Sequence, residues 1–225
     1  MERRAHQLYT ALLAHDISNF NQTSRGYIEL LLDEQMGQLS DEQLRVLSTC
    51  LRQCHRIQSV IDAVRLLERL EQEPPRLEPT DLDQMLREAI EGTQTALSDQ
   101  DIRVRFTPAG RKVLGEPHLL EVLRQLLGNA ARHNAAEMIE IDLQLRRLEG
   151  PPPQWELMIS DNGNGVPPAR RELIFNRLRD GEVHGVGLGL SLARVVVERC
   201  GGRLWLEDTP EGQGATFGLS LPLLA

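Results

Sequence analysis

Apolar residues recur at helical spacing through the first third of the chain. They run Leu13, Ile17, Phe20, Tyr27 and Leu31, in steps of three and four apart from a gap at Ser24. After a turn at Gly37, Ser40-Asp41-Glu42 supplies a helix start with Ser40 as N-cap. A second stripe follows: Leu44, Leu47, Leu51, Cys54, Ile57, Ile61, Val64 and Leu67. Two amphipathic helices joined by a short turn make an antiparallel hairpin. Its apolar seam exceeds what one partner helix can cover, so a homodimer forming a four-helix bundle is the economical arrangement. A two-helix arm folded onto the rest of its own chain is the alternative.

"EQEPPRLEPTDL" then breaks the period, because paired prolines stop a helix and stiffen a linker. The expected organisation is a helical hairpin over 1–73, a linker over 74–80 and a second domain over 81–225. In the second domain the spacing predicts a helix over 82–97, a strand over 102–106, a helix over 117–133, strands over 138–148 and 155–160, and a helix over 188–200. Two closing strands, "RLWLED" and "ATFGLSLP", follow. The expected fold class is α+β, the second domain being an α/β sandwich in which helices cover one face of a mixed sheet.

Composition narrows the classes. A chain of 225 residues can bury a real core, and its net charge of -8 excludes a general nucleic-acid binder, which needs a basic face. No run of about 18 apolar residues is present to span a membrane. The start "MERRAHQLYT" lacks the apolar stretch of a signal peptide, and three cysteines suit a reducing compartment. The expectation is a cytoplasmic protein, or the cytoplasmic part of a longer membrane-anchored sensor, that does not itself insert into a membrane.

Three glycine-rich turns carry the candidate chemistry. "SDNGNGVP" puts Asp161 at a strand end, with Gly163 and Gly165 able to turn tightly against a ligand. "HGVGLGLSLARVV" sets Gly185, Gly187 and Gly189 just before a helix, where free N–H groups and the helix dipole suit a phosphate. "EGQGATF" adds a third turn with the Thr216 hydroxyl available. Upstream, "EVLRQLLGNAARHN" places Asn129, Arg132 and His133 about one turn apart on a face beside the apolar one. The Asn129 amide oxygen suits Mg²⁺ that already holds phosphate oxygens.

With these boxes in this order, the sequence resembles the sensor histidine kinases over nearly its whole length. "LLGNAARHN" is similar to their asparagine box, "DNGNG" to their DxGxG box, "IFNRL" to their phenylalanine box, "GVGLGL" to their GxGLGL box and "GQGATF" to their last glycine box. "AHDISNFNQ" resembles their phospho-accepting histidine box. The resemblance implies a dimerising phosphotransfer hairpin followed by a Bergerat-type ATP-binding domain using ATP and Mg²⁺. It implies that Asp161 bonds the adenine amino group, Asn129 ligates Mg²⁺, and Gly185, Gly187 and Gly189 line the phosphates. By the same resemblance His15 takes the γ-phosphoryl group and passes it to an aspartate on the receiver domain of a response regulator. Asn19 then orients the water that dephosphorylates that regulator.

His15 lies off the apolar stripe and so faces outward, and an imidazole is readily neutral near pH 7. Asp16 can hold the proton, although adjacent helical side chains do not ordinarily face one another. Asn19 sits one turn away on the same face. Where many members of the family carry a proline five residues after the histidine, this chain has Phe20, and the segment between Phe175 and Gly185 is short. Gyrase-like relatives place a glutamate four residues before the asparagine to activate water; here that residue is Gln125, which cannot act as a base. A non-catalytic, ATP-binding pseudokinase scaffold is the remaining alternative. Cys50, Cys54 and His55 form a poor metal set, and core packing is expected of Cys54.

Overall fold

The structure, a computed structural model, describes residues 2–33, 37–132, 134–171, 173–175, 189–210 and 212–224, with side chains from His15 on except at residue 71. The chain divides into two compact units that part between Glu73 and Pro74. The first contains helices α1 (Glu2–Leu32) and α2 (Asp41–Gln72). Ser40 caps α2 as the sequence predicts. Its Oγ accepts from the Gln43 N–H at 3.3 Å, and Gln43 Oε1 accepts from the Ser40 N–H at 2.8 Å, a reciprocal capping box.

Part of the apolar stripe of α1 is left uncovered by α2, as expected of a seam wider than one partner helix, while Leu31 is half-buried. Ile17, Phe20 and Tyr27 are 46%, 73% and 64% exposed, and Ile57 of α2 is exposed too. Asn21 is buried instead, and its Nδ2 donates to the Cys54 carbonyl at 2.9 Å. One residue turns a helix by about 100°, so burying Asn21 carries Phe20 away from α2. The bond to Cys54 offsets the cost of burying the amide. Cys54, Ile61, Ala63 and Leu70 are the other buried residues of this unit among those described.

The second unit is built on a five-stranded sheet. Its strands are β2 (Asp101–Phe106), β4 (Met138–Leu148), β5 (Gln154–Asp161), β6 (Arg203–Leu206) and β7 (Thr216–Pro222), in the order β2-β4-β5-β7-β6. β2 and β4 run parallel and every other pair is antiparallel. Helices α3 (Leu82–Ala96), α4 (Leu119–Arg132) and α6 (Gly189–Arg199) pack together and against this sheet. Leu119, Leu123, Leu126 and Leu127 of α4 meet Ile141, Leu157, Ile159, Leu219 and Leu221 in a core where all are nearly fully buried. Each such side chain contributes roughly 1.5–3 kcal/mol.

Two elements fall where the sequence shows no period. β1 (Glu78–Asp81) pairs antiparallel with β3 (Lys112–Gly115), so residues 78–80, expected in the linker, belong to a strand of the second unit. Four-residue strands, one of them containing Pro79, carry too little alternation to be read. A single turn, α5 (Pro168–Arg171), also appears between β5 and α6. None of the described helices is long and apolar enough to cross a membrane.

Two buried ion pairs join distant segments of this unit. Glu116, 3% exposed, accepts from Arg199 Nε at 3.0 Å and Nη2 at 2.8 Å, tying the entry of α4 to the end of α6. Beside it burial pushes the Cys200 thiol pKa up, which keeps it protonated. Asp83, 1% exposed, accepts from the backbone N–H groups of Ala109, Gly110 and Arg111 and from Arg111 Nη1 at 2.9 Å. Burial alone would raise its pKa, but those donors together outweigh burial and lower it. A lowered carboxyl pKa stabilises the fold above the unfolded value of about 3.9, and the contribution is lost as pH falls through the folded value. Asp83→Asn should therefore cost about 2–3 kcal/mol near neutral pH. The gap from wild type in urea unfolding should narrow as the solution is acidified below the ordinary carboxylate value of about 3.9 and on through the lowered folded value.

Candidate functional site

Two of the three glycine-rich turns expected from the sequence meet on one carboxylate. Asp161 ends β5 at the centre of the sheet. Its Oδ1 accepts from the Gly163 N–H at 2.8 Å and the Ala215 N–H at 3.2 Å, while its own N–H donates to the Ala215 carbonyl at 2.9 Å. The two donors come from different turns, 162–167 and 208–215, so the carboxylate is held where both meet. Gly214 makes this approach possible. Its φ is +80°, and a Cβ there would lie 1.8 Å from the Asp161 carbonyl oxygen. Gly165, at φ +76°, also approaches Gly214 too closely for a side chain: a Cβ would stand 2.8 Å from its carbonyl oxygen.

Asparagines fasten the same region to α4. Asn134, just past the end of α4, donates from Nδ2 to Asn162 Oδ1 at 2.7 Å, and Asn162 Nδ2 donates to the Met138 carbonyl at 3.0 Å. On α4 itself, Gln125 Nε2 donates to Asn129 Oδ1 at 3.1 Å, and Arg132 Nη2 reaches the same atom at 3.5 Å. Two donors on one atom identify it as the amide oxygen and fix its orientation. Burial lowers the Arg132 pKa while Glu121 acts against this, and a guanidinium stays charged in either case. Gly189 opens α6.

Thr216 is not brought to Asp161. Side chains alternate along a strand, and the Thr216 hydroxyl donates to Ser160 Oγ at 3.0 Å on the other face of the sheet. Ala215 is the residue of that turn that touches the carboxylate. Arg171 is a contact the sequence did not signal. Its Nε donates to the Val166 carbonyl at 3.1 Å, its Nη2 to the Thr209 carbonyl at 2.6 Å, and its Nη1 pairs with Asp208. Of the other expected residues, His133, Gly185 and Gly187 lie outside the described residues.

In the first unit, His15, Asp16 and Asn19 stand together on the exposed side of α1. His15 Nδ1 lies 3.2 Å from Asp16 Oδ1 and 3.4 Å from Asn19 Nδ2, and the His15 side chain is 67% exposed. Asp16 thus reaches across despite being the adjacent residue. With the proton on Nδ1 and Asp16 accepting it, the lone pair falls on Nε2.

Comparison with known proteins places this geometry in a family. Residues 115–225 match the family described as histidine kinase-, DNA gyrase B- and HSP90-like ATPases. Cyanobacterial phytochrome A of Nostoc sp. is 25% identical over 220 residues, covering 96% of this chain and 28% of that protein. Sensor histidine kinase AruS of Pseudomonas aeruginosa is 28% identical over 238 aligned positions, covering 98% of this chain and 23% of that protein. The chain therefore spans about a quarter of the length of these relatives. Among solved structures, full-length ShkA in complex with AMPPNP superposes with a TM-score of 0.68 over 96% of this chain and 46% of that one. At 22% identity it speaks for the fold alone. A second structure, of the mycobacterial sensor histidine kinase MprB, is 28% identical, with a TM-score of 0.54 over 66% of this chain and 98% of that one. The helical unit, the ATPase-type unit and these relatives agree: the chain is similar to the sensor histidine kinases over nearly its whole length and is consistent with a core of that kind.

Proposed function

We propose that this core binds Mg-ATP in its second unit and transfers the γ-phosphoryl group to His15, from which it passes to an aspartate of a response-regulator receiver domain. The observation that carries the reading is the His15–Asp16 contact at Nδ1, on an exposed helix of a chain that also holds an ATPase-type domain. Nε2 attacks phosphorus, the Nε2–P bond forms, and the bond from the γ-phosphorus to the bridging oxygen breaks to release ADP. Asp16 holds the proton on Nδ1 and balances the charge that builds on the ring. Positioning and charge neutralisation supply most of the catalysis in transfers of this kind.

Nucleotide recognition falls to Asp161, whose carboxylate accepts the adenine amino group. ShkA, alike in fold, is seen with AMPPNP. The residues fit a magnesium ion held chiefly by phosphate. Among the described residues no cluster of His, Cys, Asp and Glu is set to hold a metal, and Asn129 offers one oriented amide oxygen. That ion would supply charge neutralisation at the phosphates. Asn19 orients the water that removes phosphate from the regulator.

The exposed Ile17, Phe20, Tyr27 and Ile57 support pairing of two hairpins into a homodimer, since scattered apolar side chains this large gain from a shared seam. Asp161→Ala should lose ADP binding by about a hundredfold or more in calorimetry, as one buried charged hydrogen bond and its orienting shell are removed. Unchanged affinity would sink the assignment.

A further inference from the structure

Asp161 depends on two turns that are far apart in sequence, and Arg171 grips both. One turn, 162–167, supplies the Gly163 donor; the other, 208–215, supplies the Ala215 donor. Arg171 Nε holds the first through the Val166 carbonyl. Its Nη2 and Nη1 hold the second through the Thr209 carbonyl and Asp208. The Thr209 hydroxyl in turn donates to the Gly214 carbonyl at 3.1 Å, next to the peptide whose N–H reaches Asp161. Among the described residues, beyond the Asp161 contacts themselves, a backbone bond from the Gly212 N–H to the Asn164 carbonyl, at 3.2 Å, crosses between the turns.

We propose that Arg171 is a positioning residue for purine selectivity, clamping the two glycine turns so that both backbone donors stay on Asp161 Oδ1. The proposal rests on Asp161 reading the adenine amino group. If the turns part, the carboxylate loses one of its two backbone donors and tilts from the plane of the base. The donors that the clamp holds in place serve Asp161, so the loss falls on the base. Three partners in three directions require the planar fork of a guanidinium, and a lysine ammonium cannot serve them together.

The test measures dissociation constants for ADP and IDP, which differ at the purine 6-position, where IDP carries a carbonyl in place of the amino group. Wild type, Arg171→Met and Arg171→Lys are compared by calorimetry. Wild type should prefer ADP. Arg171→Met should weaken ADP about tenfold, the cost of one misplaced hydrogen bond, and leave IDP within about twofold. Arg171→Lys should behave like Arg171→Met, with no rescue. Retained IDP binding also reports that each variant is folded. Equal weakening of both nucleotides, or no change in either, would overturn the role of Arg171 while leaving Asp161 in place. A wild type that binds ADP and IDP alike would overturn the Asp161 assignment and this proposal with it.

Discussion

Gly214 passes the backbone of Asp161 so closely that a methyl group there would sit 1.8 Å from the Asp161 carbonyl oxygen. Much of the second unit is arranged around that approach. The sheet brings β5 and β7 side by side, and the turn before β7 folds over the end of β5. Backbone N–H groups from two turns then aim at one carboxylate oxygen. A carboxylate held by backbone donors has a fixed direction, and that direction is what a planar base can recognise. The glycines are required because the donors must come from main chain at a distance no side chain permits.

Around this centre, charge does the work of holding loops that apolar packing cannot reach. Glu116 and Arg199 fasten the start of α4 to the end of α6, and both helices carry parts of the proposed nucleotide site. Asp83 gathers three backbone N–H groups of the segment leading into β3. Such pairs are weak sources of net stability but costly to break, since removing one partner leaves a buried charge unmatched. They define which arrangement of the loops is allowed.

The parts of the fold with a long period were legible in the sequence. Residues of β4 alternate from Ile139 to Leu145, and the α4 leucines recur every three or four positions into the core. The Ser40 cap and the Asp161 strand end were legible for the same reason, since a local rule fixes each. Phe20 and Asn21 were not, because a wide apolar surface does not say which of its strips meets the partner helix. Thr216 was misplaced because a turn residue and the first strand residue look alike until register assigns them faces. Arg171 carried no signal at all: its partners Asp208 and Thr209 lie 37 and 38 residues away, and no spacing encodes that.

The first unit depends on a smaller constellation. His15 Nδ1 stands 3.2 Å from Asp16 Oδ1 on the exposed side of α1, and on the proposed reading this contact orients the ring and leaves Nε2 as the nucleophile. The central claim is that this nitrogen accepts phosphate from ATP, and it is tested by incubating the chain with γ-labelled ATP and Mg²⁺ beside a His15→Ala control. Label that is acid-labile and alkali-stable, and absent from the control, is the predicted result. A chain that binds ATP but takes up no label, or one labelled equally well without His15, would contradict it.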